Sequence, residues 1–110
     1  MEIETDLRAD AAVLRPAGRL TMVTAGELRA RIDETVAGGH RVVVLDLADT
    51  TFMDSSGLGA LVGGLRATRV AGGDLRLACA GAQVRTVLQL TTMDRVLRPY
   101  DTVEDALRAS

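Results

Sequence analysis

The 110-residue sequence has no lysine and no tryptophan, a single histidine and a single cysteine, and only Phe52 and Tyr100 as aromatic side chains. Each scarcity excludes something. Without lysine the phosphate-cradling P-loop cannot be formed, because that motif needs an ammonium group on the bound phosphates. A lone Cys79 rules out an internal disulfide framework and a cysteine-only metal site, and a reducing cytoplasm is the simplest setting. No pair of His, Cys or carboxylate residues has the spacing of metal ligands, so neither a metal nor another cofactor is expected. His40, beside Gly39, reads as a solvated turn residue. No nucleophile, base and orienting group can be assembled without it, so the chain is not expected to be an enzyme. The longest uncharged run, Ser55 to Leu65, falls far short of the roughly 20 residues that cross a bilayer. The acidic start Met1-Glu2-Ile3-Glu4 lacks the apolar stretch of a signal peptide. All thirteen basic residues are arginines scattered along the chain against fifteen acidic ones, so no basic stripe points to nucleic acid.

What remains is an ordinary globular composition, 47% apolar and 25% charged, enough to offset chain entropy by burial. Residues 1–110 have room for one domain with one core, built from Leu, Val, Ile, Ala and Met. Ile3, Thr5 and Leu7 alternate with charged residues, which predicts a half-buried strand. A second strand is expected over Ala12 to Gly18, paired antiparallel with the first, with Pro16 marking an edge or an irregular end and Gly18 a stop. Ala25, Leu28, Ile32 and Val36 then recur at helical spacing, Thr24 and Glu27 have the spacing of a capping box, and Gly38-Gly39 ends the helix. Val42 to Leu47 is a near-continuous β-branched run, as in a strand buried on both faces. Asp46 within it must sit at an end or be hydrogen-bonded.

Ala48 to Asp54 reads as a loop, followed by a helix from Ser55 whose apolar face is Leu58, Leu61, Val62 and Leu65. Gly59, Gly63 and Gly64 each cost that helix about 1 kcal/mol relative to alanine, so close packing against the sheet is the expected compensation. Asp74 to Ala80 reads as a strand holding Cys79 as a small core residue, Ala82 to Leu90 as a helix with Val84, Val87 and Leu88 inward, Val96 to Pro99 as a short extended piece, and Thr102 to Ala109 as a capped final helix. Alternation of strands and helices predicts an α/β domain, with a mixed, mostly parallel sheet of four to five strands covered by about four helices.

One stretch stands out: Phe52-Met53-Asp54-Ser55-Ser56-Gly57-Leu58-Gly59, between the buried strand and a helix. Its place is the carboxyl end of the sheet, where open α/β sheets carry functional loops. Asp54, Ser55 and Ser56 are three candidates in a row for one helix cap. The alternative to a simple cap is that Ser55 accepts a phosphate. There the group would face the positive end of the helix and its free amides, and would add about −1.5 to −2 charge.

In this setting the Asp54-Ser55-Ser56-Gly57-Leu58 stretch, placed after Val42 to Leu47, resembles the signature of bacterial anti-sigma factor antagonists, which are stand-alone STAS domains. Gly18-Arg19-Leu20 before Thr24-Ala25, and Gly72-Gly73-Asp74-Leu75-Arg76-Leu77, resemble further segments of that family, so the likeness covers the whole chain. The resemblance implies a STAS-like fold and partner switching. The unphosphorylated antagonist binds an anti-sigma factor that is also a serine kinase of the histidine-kinase-like ATPase type, and a sigma factor is freed. Phosphorylation of the serine after the aspartate, here Ser55, ends the binding, and a metal-dependent serine phosphatase restores it. The residues expected to meet the partner are Thr21, Met22, Asp54, Ser55, Ser56, Gly57 and Leu58, with Ser56 shaping the site rather than taking the phosphate. Thr21 stands where the family pattern often has an acidic residue, a departure that bears on which kinase is recognised. Met22 and Val23 are either exposed contacts or a core-facing staple before the helix. Two other functions fit the same fold: a scaffold subunit that is never phosphorylated, and a sensor of a small anion or nucleotide at the Ser55 helix start. Neither direct nucleic-acid binding nor a membrane is expected.

Overall fold

The computed structural model describes residues 1–109. The alternating N-terminus forms β1 (Glu2–Leu7), paired antiparallel with β2 (Ala11–Leu20) so that Ile3 lies opposite Pro16. β2 runs past Gly18, where the sequence predicts a stop, and Pro16 lies inside a strand with neighbours on both sides. The physical reason is a change of partner. From Ala11 to Leu14, β2 pairs in parallel with β3 (Val42–Asp46), and from Gly18 to Leu20 with β4 (Thr50–Met53). Pro16 falls between these two ladders, where on that side its missing N–H costs no bond. Its carbonyl accepts a 2.9 Å hydrogen bond from the buried hydroxyl of Thr50. The register then shifts at Gly18, whose φ of 103° only glycine adopts readily.

β4 corrects the reading of Ala48–Asp54 as a loop. Four residues are too few to display an alternating pattern, and what makes them a strand is a partner distant in sequence. With β5 (Asp74–Ala78) and the short β6 (Pro99–Tyr100), the sheet has six strands instead of four to five. Their order is β1-β2-β3-β5-β6, with β4 beside β2, and every pairing except β1 with β2 is parallel.

Helices α1 (Ala25–Ala37), α2 (Ser55–Val70) and α3 (Ala82–Leu90) supply Leu28, Ile32, Leu61, Leu65, Val84 and Leu88 to the main core. These meet Leu14, Leu45 and Leu77 on one face of the sheet. The short α4 (Val103–Arg108) covers the other face, where Ala106 packs with Val13, Val44 and Ala78. Its cap is as expected, with the Thr102 hydroxyl accepting the Asp105 N–H at 3.0 Å. The capping box of α1 is not made. The Thr24 hydroxyl donates instead to the Arg19 carbonyl at 2.7 Å and accepts the Thr21 N–H at 3.0 Å, so it ties the turn before α1 rather than the helix itself.

Gly63 and Gly64 of α2 pack against α1 more than against the sheet. A Cβ on Gly64 would lie 2.9 Å from Ile32 Cδ1, one on Gly63 would overlap the Arg29 guanidinium, and Gly59 faces open space. Asp46, 5% exposed at the end of β3, satisfies both alternatives foreseen for it. It accepts from Arg15 Nε at 2.8 Å and from the Ala48 N–H at 3.1 Å, and Arg15 also reaches Glu4 at 2.8 Å. Cys79 lies just beyond β5, half-buried and with φ of 59°, not within the strand. Burial pushes its thiol pKa up, and the nearby Asp46 carboxylate pushes in the same direction.

Candidate functional site

Because β2 and β4 are parallel, they leave the sheet together. Leu20 lies opposite Met53, and the Asp54 N–H donates to the Leu20 carbonyl at 3.2 Å. The turn Thr21 to Thr24 and the start of α2 therefore emerge side by side at the carboxyl ends of these strands. The sequence places these segments more than thirty residues apart; a single pair of neighbouring strands unites them. Gly57 makes the approach possible. A Cβ there would overlap the Leu20 carbonyl oxygen and come within 2.9 Å of both Leu20 Cγ and Met53 Cγ.

Of the three candidate caps, Asp54 is the one used. Its carboxylate accepts the Gly57 N–H at 2.9 Å, and its carbonyl accepts the Leu58 N–H at 2.9 Å as the first helical bond. The hydroxyls of Ser55 and Ser56 are then left without a partner among the described residues, and so are their backbone amides at the positive end of α2. Ser55 is exposed and Ser56 half-buried. Asp54 and Leu58 are also half-buried, Leu58 packing against the main core, while Gly57 is buried and holds the helix start against β2. Across from them, Thr21 is half-buried. Met22 and Val23 are 78% and 82% exposed, so they do not form a staple into the core.

Two contacts that support this end have no local signal in the sequence. Gln83, in the first turn of α3, accepts the Met53 N–H at 2.8 Å through Oε1 and donates to the Met53 carbonyl at 2.9 Å through Nε2. Its side-chain amide acts as a one-residue strand on the outer edge of β4, immediately before Asp54. Arg19 lies over the Phe52 ring, 4.3 Å from its centroid, across the β2–β4 pair. Chemically, the site offers an exposed hydroxyl in a positive local field on a rigid mount. Asp54, the neighbouring carboxylate, is already committed to the cap.

Parallel strands with three helices on one face and a short one on the other, and a serine at the helix start that leaves β4, define the STAS class of α/β domain. Residues 2–106 match the STAS domain family model, and the chain belongs to that family. Its relatives carry the names of anti-sigma factor antagonists. A Thermotoga maritima protein so named is 31% identical over 89% of this chain and 88% of its own length. The anti-sigma-F factor antagonist RsfB of Mycobacterium tuberculosis is 30% identical over 87% of this chain and 78% of its own. Among solved structures, an anti-sigma factor antagonist from Mycobacterium paratuberculosis superimposes with a TM-score of 0.85 at 27% identity, covering 96% of this chain and 90% of that one. The chain is thus an anti-sigma factor antagonist homologue. SpoIIAA in its phosphorylated form shares the fold, with a TM-score of 0.73 at 23% identity over 96% of each chain. No helix among the described residues is long and apolar enough to cross a membrane.

Proposed function

We propose that this chain, residues 1–110 acting as one domain, is a cytoplasmic anti-sigma factor antagonist whose partner binding is switched by phosphorylation of Ser55. Its unphosphorylated form binds an anti-sigma factor that is also a serine kinase of the histidine-kinase-like ATPase type, and a sigma factor is released. A serine phosphatase resets the switch. The chain itself needs no catalytic group or cofactor, since it is the substrate of both enzymes.

One observation carries the reading: Ser55 presents an exposed hydroxyl beside two unpartnered helix amides, while its neighbour Asp54 already caps the helix. A phosphate on Ser55 would therefore replace no structural bond, and the helix end would tolerate its charge. The same charge would face a partner seated on Met22, Val23 and the exposed edge of α2, where burial without compensation is costly. Thr21, Met22, Asp54, Ser55, Ser56 and Leu58 form the docking surface in this reading, and Gly57 positions it.

The experiment is capture from host lysate with wild type, Ser55→Ala and Ser55→Asp as baits, each first checked to be folded. Recovery of an ATPase-type kinase by wild type and Ser55→Ala but not by Ser55→Asp supports the switch. Equal recovery of the same partners by all three makes Ser55 an ordinary helix residue and the domain a constitutive scaffold.

A further inference from the structure

We propose that the recess between the C-terminal half of α2 and residues 95–100 binds a phosphate-class dianion, either free phosphate or a soluble phosphate monoester. The chain carries a net charge of −2, yet Arg69, Arg76, Arg95 and Arg98 all line this one pocket of about 160 Å³, facing the single carboxylate of Asp74. That carboxylate is fully engaged. Its Oδ2 accepts from Arg76 at 3.1 Å, its Oδ1 accepts the Leu75 N–H at 3.0 Å, and Arg69 approaches at 3.6 Å. Arg76 is further fixed by donating to the Ala106 carbonyl at 2.9 Å.

Arg95 and Arg98 have no such partner: among the described residues no carboxylate lies within 4.0 Å of either. Of the carboxylates that share a neighbouring recess with Arg98, Asp101 is paired with Arg85 at 3.4 Å and Asp105 with Arg108 at 3.1 Å. Four guanidinium groups around one carboxylate leave an excess of positive charge, and a tetrahedral dianion that accepts several forked N–H donors relieves that repulsion. Tyr100 also lines this recess, and its hydroxyl has no hydrogen bond among the described residues. Val96 and Arg69 continue from this recess into an apolar groove lined by Val62, Leu65 and Val70, where the organic part of a monoester would lie.

Arg69 follows Ser55 along α2 by fourteen residues, which at 1.5 Å per residue puts the pocket about 20 Å from the serine. A ligand here would leave the Ser55 end free.

The test is titration of the intact chain with inorganic phosphate and with phenyl phosphate at constant ionic strength, read by calorimetry and by the melting midpoint, with chloride as the control anion. Both phosphates are expected to bind and to raise the midpoint. The double variant Arg95→Gln/Arg98→Gln, which removes two exposed and unpaired side chains, is expected to weaken binding at least tenfold. Arg8→Gln, which removes one positive charge at the β1–β2 turn, should leave it unaltered. Tighter binding of phenyl phosphate than of inorganic phosphate assigns the pocket to a monoester, and equal binding assigns it to free phosphate. Affinity that is unchanged in the double variant, or a midpoint that chloride raises as much as phosphate does, overturns the proposal.

Discussion

Replacing Gly57 by alanine should be among the most damaging single-methyl changes in this molecule, and replacing Gly59, two positions along the same helix, should be among the most benign. At Gly57 the new Cβ would overlap the Leu20 carbonyl oxygen and sit 2.9 Å from two further carbons. The carbonyl cannot retreat cheaply, because it accepts the Asp54 N–H that holds β2 to the start of α2. Overpacking costs about 1–3 kcal/mol, and a backbone obstacle puts this case at about 3. Disturbing the bond between Gly57 N–H and Asp54 adds about 1 kcal/mol. Alanine's helix propensity returns about 1 kcal/mol, leaving a net loss of about 3. For a domain of this size that lowers the melting midpoint by roughly 12–15 °C. Gly59 faces open space, so there the propensity term stands alone and alanine should stabilise by about 0.5–1 kcal/mol. Urea denaturation of the two variants, monitored by circular dichroism, measures both values. A Gly57→Ala protein within about 0.5 kcal/mol of wild type, within the ordinary scatter of surface changes, would refute the close approach of α2 to β2.

Gln83→Ala should orphan both backbone groups of buried Met53 and cost about 2 kcal/mol, with much faster amide exchange at Met53 and little change at the far end of α2. Arg15→Leu leaves Asp46 buried with only the Ala48 N–H, and should cost about 1–3 kcal/mol in chemical denaturation. Glu4→Gln, at the exposed end of the same arginine, should cost less than about 0.5 kcal/mol. Cys79 should react with a disulfide reagent at pH 8 more slowly in the native protein than in denaturant, because burial first and Asp46 second hold the thiol protonated. A thiol whose folded pKa is raised destabilises the fold only as pH rises above its unfolded value, so Cys79→Ala should flatten the loss of stability on the alkaline side.

Much of the fold is legible in one dimension because it is locally encoded. The alternation of Ile3, Thr5 and Leu7, the β-branched run after Val42, and the helical spacing of Leu28 with Ile32 each follow from a short-range period that needs no partner to be seen. Ser55 at the first position of α2 belongs to the same group, since a helix start is marked by its own residues. The capping box at Thr24 and Glu27 shows the limit of such signals. The spacing is right, but the threonine hydroxyl found a better use five residues back, on the Arg19 carbonyl.

What the chain alone does not reveal is long-range. Four residues at Thr50 become a strand only because β2 outlasts β3 and offers an unpaired edge, and Pro16 sits mid-strand because that is where the partners change. The clamp of Gln83 on Met53, the seat of Gly57 under Leu20, and the meeting of Met22 with Ser55 at one end all depend on pairings across tens of residues. The four arginines around Asp74 are likewise dispersed in sequence, and read in one dimension they are scattered charges. Period and cap chemistry act within a turn or two, so the sequence by itself determined the helices, the strands with a visible period and the identity of the exposed serine. Sheet register and close backbone approach act across the domain, and only the tertiary structure decided which side chains surround that serine and which charges meet at the far end of its helix.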